Sequence, residues 1–133
     1  MASKGSVRRV IGTVVDIEFA SGELPEIFNA VNVDMDGQLL VTEVQQHLGS
    51  NWVRCLALDS TDGLRRGASA EDTGGPISVP VGDETLGRIF NVVGTPLDPG
   101  EEISEDQLRW PIHRPPPSYS EQETQTAILE TGV

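Results

Sequence analysis

Cysteine is almost absent from this chain: Cys55 stands alone among 133 residues. One thiol excludes an intrachain disulfide and a cysteine-based metal cage. Lysine is equally rare, with Lys4 the only one, and Lys plus Arg number 9 against 21 for Asp plus Glu. The net charge of −12 opposes a free-standing binder of phosphate backbones, which needs a basic face to release counterions. It equally opposes docking on an anionic membrane surface. No run approaches 18 consecutive apolar residues, so no membrane-spanning helix and no direct membrane insertion are expected. Nor does an uninterrupted apolar run that could serve as a signal peptide follow Met1 to Gly5.

Glycine and proline, by contrast, are plentiful at 14 and 9. So many turn formers favour short strands and loops over a helical bundle. The length fits one small domain, or one with an extension.

The pattern along the chain agrees. Val7 to Phe19 reads as a strand, with Ile11, Val15, Ile17 and Phe19 on one parity and Asp16 and Glu18 on the other. Gly12 permits a bulge or a bend within it. Ala30 to Met35, Gln38 to His47 and Trp52 to Leu58 follow as strands, and Asp36-Gly37 is a hairpin signal between the first two. Leu48 to Asn51 and Asp59 to Leu64 are turn-rich, Arg65 to Gly75 reads as a polar loop, and Pro76 to Gly82 as a last short strand. Strands this short, with turns this frequent, predict a small closed β-barrel.

The pattern changes after Gly82. Leu86, Ile89, Phe90 and Val93 have helical spacing, Asp83 can cap and Gly94 can stop, so two or three helical turns are expected there. Arg109 to Tyr119 carries Pro111, Pro115, Pro116 and Pro117 and reads as an extended connector, with Trp110 and the nearby prolines expected to pack on the barrel or a neighbouring domain, and residues after about Gly94 expected to be mobile or to pack on another molecule where that surface is missing. The fold class is therefore mainly β: a small closed barrel domain of five or six strands at residues 1–82, then a short helix and a Pro-rich connector at 83–133.

Chemistry-bearing groups are sparse. His47 and His113 are separated and read as hydrogen-bonding or packing residues. Glu101, Glu102, Glu105 and Asp106 read as a solvated acidic run, because a calcium loop needs a Gly-punctuated ligand pattern. Ser60, Thr61 and Asp62 read as turn residues, since no G-x-S-x-G surrounds them. No G-x-x-x-x-G-K-[ST] phosphate loop occurs. No catalytic, cofactor-binding or metal-ligating residue is assigned.

Several stretches, taken in order, resemble the N-terminal part of the beta subunits of F-type ATP synthases. They are Val10 to Phe19, Gly22 to Ala30, Glu43 to Gly49, Asp59 to Leu64, Asp72 to Gly82, Thr85 to Val92, Trp110 to Pro115 and Ile128 to Gly132. Gly75 stands where that family commonly has Ala. The resemblance implies a six-stranded barrel over about residues 5–82, at the crown of a hexamer alternating with alpha subunits around a central stalk. It implies that residues 83–133 open a nucleotide-binding domain and that the chain stops before the phosphate loop. Mg-ATP and ADP would belong to the full-length parent, which makes ATP from ADP and phosphate using a transmembrane ion gradient. This segment would organise the hexamer, hold no cofactor and be inactive alone. The implied location is the cytoplasmic side of a bacterial inner membrane as a peripheral complex, or else the matrix or stroma side of an organelle inner membrane. Two alternatives stay open. One is a stand-alone barrel that caps or regulates an ATPase ring. The other is a single-strand nucleic-acid binder with Trp52, Phe19 and Phe28 as its platform, a reading that the low aromatic content disfavours.

Overall fold

The computed structural model describes residues 3–100, 103–104, 106–128 and 130. Six strands close into an antiparallel barrel: β1 (Lys4–Ile11), β2 (Val14–Phe19), β3 (Asn29–Met35), β4 (Gln38–Gly49), β5 (Trp52–Ala57) and β6 (Ser69–Pro76). Around the barrel the order is β1-β2-β5-β4-β3-β6, and β6 pairs back onto β1 through Lys4 and Glu71. Closure leaves no free strand edge in the barrel.

Alternation explains why these residues make staves. Val15, Ile17 and Phe19 of β2, Val31 and Val33 of β3, Leu40 and Val44 of β4, and Val53 and Cys55 of β5 all point inward and are buried. Each such apolar side chain stabilises the fold by about 2 kcal/mol through burial. Thr42 is fully buried among them, and its hydroxyl donates to the Val31 carbonyl at 3.0 Å. Asp36 and Gly37 both have positive φ, which two-residue hairpin turns require, and Gly37 N–H is bonded to Asp34 Oδ1 at 2.8 Å.

Five sequence expectations are corrected. Val7 to Phe19 is two strands rather than one, folded back at Gly12-Thr13. Ile11 consequently faces outward and is 59% exposed, not on the parity of Val15 and Ile17. The sixth stave is Ser69–Pro76, within the segment read as a loop. Its inward positions alternate Ala70 with the buried polar Asp72, which holds Asn29 Nδ2 at 3.1 Å, so no apolar alternation marks it. The segment Pro76 to Gly82 instead supplies β7 (Ser78–Pro80), which pairs outside the barrel with β8 (Arg109–Pro111).

The helix expected around Leu86 to Gly94 is replaced by one 3₁₀ turn at Asp83–Thr85 and a small hairpin-like loop. Gly87 and Gly94 both take positive φ, which breaks helical continuation. Phe90 bridges to Pro96, Leu97 N–H donates to the Ile89 carbonyl at 2.8 Å, and the Arg88–Asp98 ion pair at 2.7 Å ties the two arms. Leu86 and Ile89, expected on an apolar helix face, are 75% and 62% exposed. Helical spacing alone did not secure a helix where two glycines and a cross-arm ion pair favoured a turn.

Candidate functional site

The connector returns to the barrel through backbone pairing and His113, while Trp110, expected to pack back, stays 45% exposed. β8 pairs Trp110 with Val79, and Ile112 N–H donates to the Ile77 carbonyl at 2.9 Å. Arg109 reinforces the join by donating to the carbonyls of Ser78 at 2.9 Å and Val93 at 3.3 Å. Arg114 lies over the Trp110 ring at 3.8 Å, a cation–π contact.

Beyond β8 the chain meets the barrel wall. His113 Nε2 lies 2.8 Å from Glu43 Oε2, and the His113 ring stacks on Phe28 with centroids 4.3 Å apart. Glu43 is buried on the outside of β4, where its other carboxylate oxygen accepts from Gln45 Nε2. Phe28 has φ +71°, a conformation a bulky side chain rarely takes. His47 Nε2 bonds the Pro25 carbonyl at 2.7 Å and so fixes the loop that presents Phe28. Both histidines thus act as hydrogen-bonding residues, as their isolation in the sequence suggests.

A second constellation lies on the wall of β1, β2 and β5. Asp16 is only 1% exposed although it points away from the barrel interior. Arg54 grips it with two bonds, Nε to Oδ1 at 2.8 Å and Nη2 to Oδ2 at 3.0 Å, and Arg9 approaches at 3.8 Å from the other side. The bonded carboxylate holds the Arg54 guanidinium in its charged form and raises its pKa further. Burial, opposed by a bond to Thr42, pushes the Cys55 thiol up to about 12, so it is an inert core group rather than a nucleophile.

The other candidates do not converge. Thr61 Oγ1 donates to the Gly12 carbonyl and Ser60 Oγ accepts from Asp62 N–H, the turn roles expected of them. Phe19 is buried in the barrel, while Phe28 is stacked on His113, so with Trp52 they form no shared exposed platform. Of the acidic run, Asp106 is exposed, whereas Glu101, Glu102 and Glu105 lie outside the described residues. Among the described residues, no three His, Cys, Asp or Glu side chains are grouped to hold a metal ion. No helix there is long and apolar enough to cross a membrane.

The closed six-stranded barrel finds its counterpart in a family model. The model described as ATP synthase alpha/beta family, beta-barrel domain, matches residues 7–74. The chain belongs to the ATP synthase alpha/beta family. The matched span starts at Val7, a core residue of β1, and ends inside β6, so the barrel itself carries the family's signature. Membership in the ATP synthase alpha/beta family implies a place in an alpha/beta hexameric assembly. Lys4, the only lysine, is committed to a barrel stave, and no phosphate-loop spacing exists anywhere in the sequence. What this ATP synthase alpha/beta barrel offers is surface: the Glu43–His113 strap and the arginine-lined wall around Asp16. Sequence reasoning missed both, because their partners are brought together only by strand register and by the returning connector.

Proposed function

We propose that this chain is the N-terminal barrel and connector of a beta-type subunit of an F-type ATP synthase head. The observation that carries this reading is the ordered wording from Val10 to Gly132, densest at Asp72 to Gly82, Thr85 to Val92 and Trp110 to Pro115. The family match over residues 7–74 and the closed barrel support it. In this reading the barrel is one segment of a crown in which beta-type and alpha-type subunits alternate around a central stalk. A barrel without free edges suits that position, because it stays rigid while other parts of each subunit open and close. The whole enzyme would sit peripherally on a membrane whose ion gradient drives ATP formation, at the cytoplasmic face in a bacterium. Mg-ATP and ADP would be held by a later segment of the same subunit.

Calorimetric titration with Mg-ATP tests the assignment on the chain itself, where no magnesium-dependent binding is expected. Tight binding would overturn it. Sequencing the reading frame beyond Val133 completes the test, a phosphate loop being expected downstream.

A further inference from the structure

Past the strap the chain leaves the barrel in the order Arg114-Pro115-Pro116-Pro117-Ser118-Tyr119. Three successive prolines fix their own φ and bias the residues before them to extended backbone, and residues 114–118 form neither strand nor helix. Ser118 continues the path with φ −63° and ψ 157°, close to polyproline II. Every residue from Arg114 to Ser120 is exposed. A polyproline II helix repeats every three residues, so Pro116 and Tyr119 lie on one edge, about 9 Å apart. Tyr119 is 92% exposed, and its hydroxyl bonds nothing among the described residues.

Both ends of this segment are held. At its start, His113 is fastened to Glu43 and stacked on Phe28. At its end, Ser118 Oγ and the Ser118 N–H both donate to Glu121 Oε2, at 2.7 and 3.0 Å, and a 3₁₀ turn at Tyr119–Glu121 follows. A conformation set in advance spares a partner the entropy of ordering the chain.

The side chains select among polyproline-binding grooves. A groove of the SH3 type reads two prolines three positions apart, often beside a free basic residue. Here Ser118, Tyr119 and Ser120 stand three positions after Pro115, Pro116 and Pro117, and Arg114 is committed to the Trp110 face at 3.8 Å. A groove of the WW type instead grips a proline against aromatic rings and takes a tyrosine one turn further on. Pro116-Pro117-Ser118-Tyr119 supplies that order.

We propose that Pro116 to Tyr119 is a docking segment for a partner domain with an aromatic-lined groove of the WW type. Pro116 seats on the groove's rings and the Tyr119 ring fills the adjoining pocket. Glu121 and Glu123 follow directly on a chain of net charge −12, so the rim of the partner's groove is basic. This goes beyond the crown reading and needs neither a hexamer nor a nucleotide.

The test is calorimetric titration of the whole chain with a purified WW domain that accepts Pro-Pro-x-Tyr ligands, with an SH3 domain as the comparison probe. Saturable one-to-one binding is expected to the WW domain and none to the SH3 domain. Pro116→Ala and Tyr119→Ala are each expected to weaken binding about tenfold, with the urea midpoint of the barrel unchanged because both residues are exposed. Arg114→Gln is expected to bind the WW domain as the unaltered chain does. Failure of the unaltered chain to bind the WW domain overturns the proposal, as does undiminished binding by Tyr119→Ala. Binding to the SH3 domain that is lost in Arg114→Gln assigns the segment to the other kind of groove and overturns it equally. The crown reading stands under each of these outcomes.

Discussion

His113 and Glu43 are 70 positions apart in the chain and 2.8 Å apart in space. That single contact fastens the connector to the wall of the barrel. Replacing His113 with Ala removes the bond and the stacking on Phe28 together. The half-exposed setting of the imidazole limits the loss to about 1 kcal/mol. Faster amide hydrogen exchange at Ile112, with little change at Val31, is the expected signature. Unchanged exchange at Ile112 would show that β8 holds the connector without the strap.

Phe28 supports the strap from a left-handed backbone conformation. Truncating it to Gly and to Ala separates strain from stacking, since both variants lose the ring but only Gly accepts φ +71° without cost. The Gly variant is expected to be more stable than the Ala variant by about 1 kcal/mol in urea unfolding. Equal stabilities would mean that this loop relaxes freely.

Asp16 depends on Arg54. Arg54→Met leaves a carboxylate that is 1% exposed with only Arg9 at 3.8 Å. A buried charge losing its partner destabilises strongly, whereas replacing both partners with apolar groups recovers much of the loss. The urea midpoint is therefore expected to fall further for Arg54→Met than for Arg8→Met, whose pair with Glu18 is more exposed. Arg54→Met/Asp16→Leu is expected to regain part of it.

Cys55 makes stability fall at high pH. Its ordinary value of 9.0 applies to the unfolded chain, and burial raises it to about 12 in the barrel. Between these values the unfolded state has released its proton while the folded state retains it. The unfolded state then binds fewer protons, so stability decreases as pH rises through that window and is fully present below it. Cys55→Val is expected to flatten this part of the pH–stability curve. In the unaltered chain, alkylation by iodoacetamide near neutral pH is expected to track unfolding rather than precede it.

Gly94 fixes the small sheet beside the barrel. A Cβ there would lie 2.5 Å from Pro80 Cδ and would have to adopt φ +76°. Gly94→Ala is expected to cost about 2 kcal/mol and to disturb β7 and β8 first. Protease cleavage between residues 94 and 112, rising before the barrel unfolds, would register it.

The barrel was legible wherever apolar residues alternate cleanly. β3, β4 and β5 emerge near their observed limits, and Asp36-Gly37 marks its own hairpin. β6 was not, because its inward face carries Asp72, whose partner Asn29 sits on another strand. Nor was the outward turn of Ile11: a bulge and a tight reversal changed the parity on which the reading relied. The spacing of Leu86, Ile89, Phe90 and Val93 was misleading for a different reason. Local periodicity competes with positive-φ glycines and with Asp98, ten residues away from Arg88, and both of these act against a helix. The strap and the arginine-lined wall were out of reach because each needs strand order, which no local pattern encodes.

The pairing of β6 with β1 has a consequence for how the molecule forms. The first stave waits for the last: Lys4 to Ser6 find their partners Ser69 to Glu71 only after all the intervening staves exist. During synthesis on the ribosome, the β1 edge therefore remains open until β6 has emerged. Such distant closure is slow, and the exposed edge is available to other nascent chains in the meantime. The same seam that gives the finished barrel its continuity is thus the moment of greatest vulnerability in its birth.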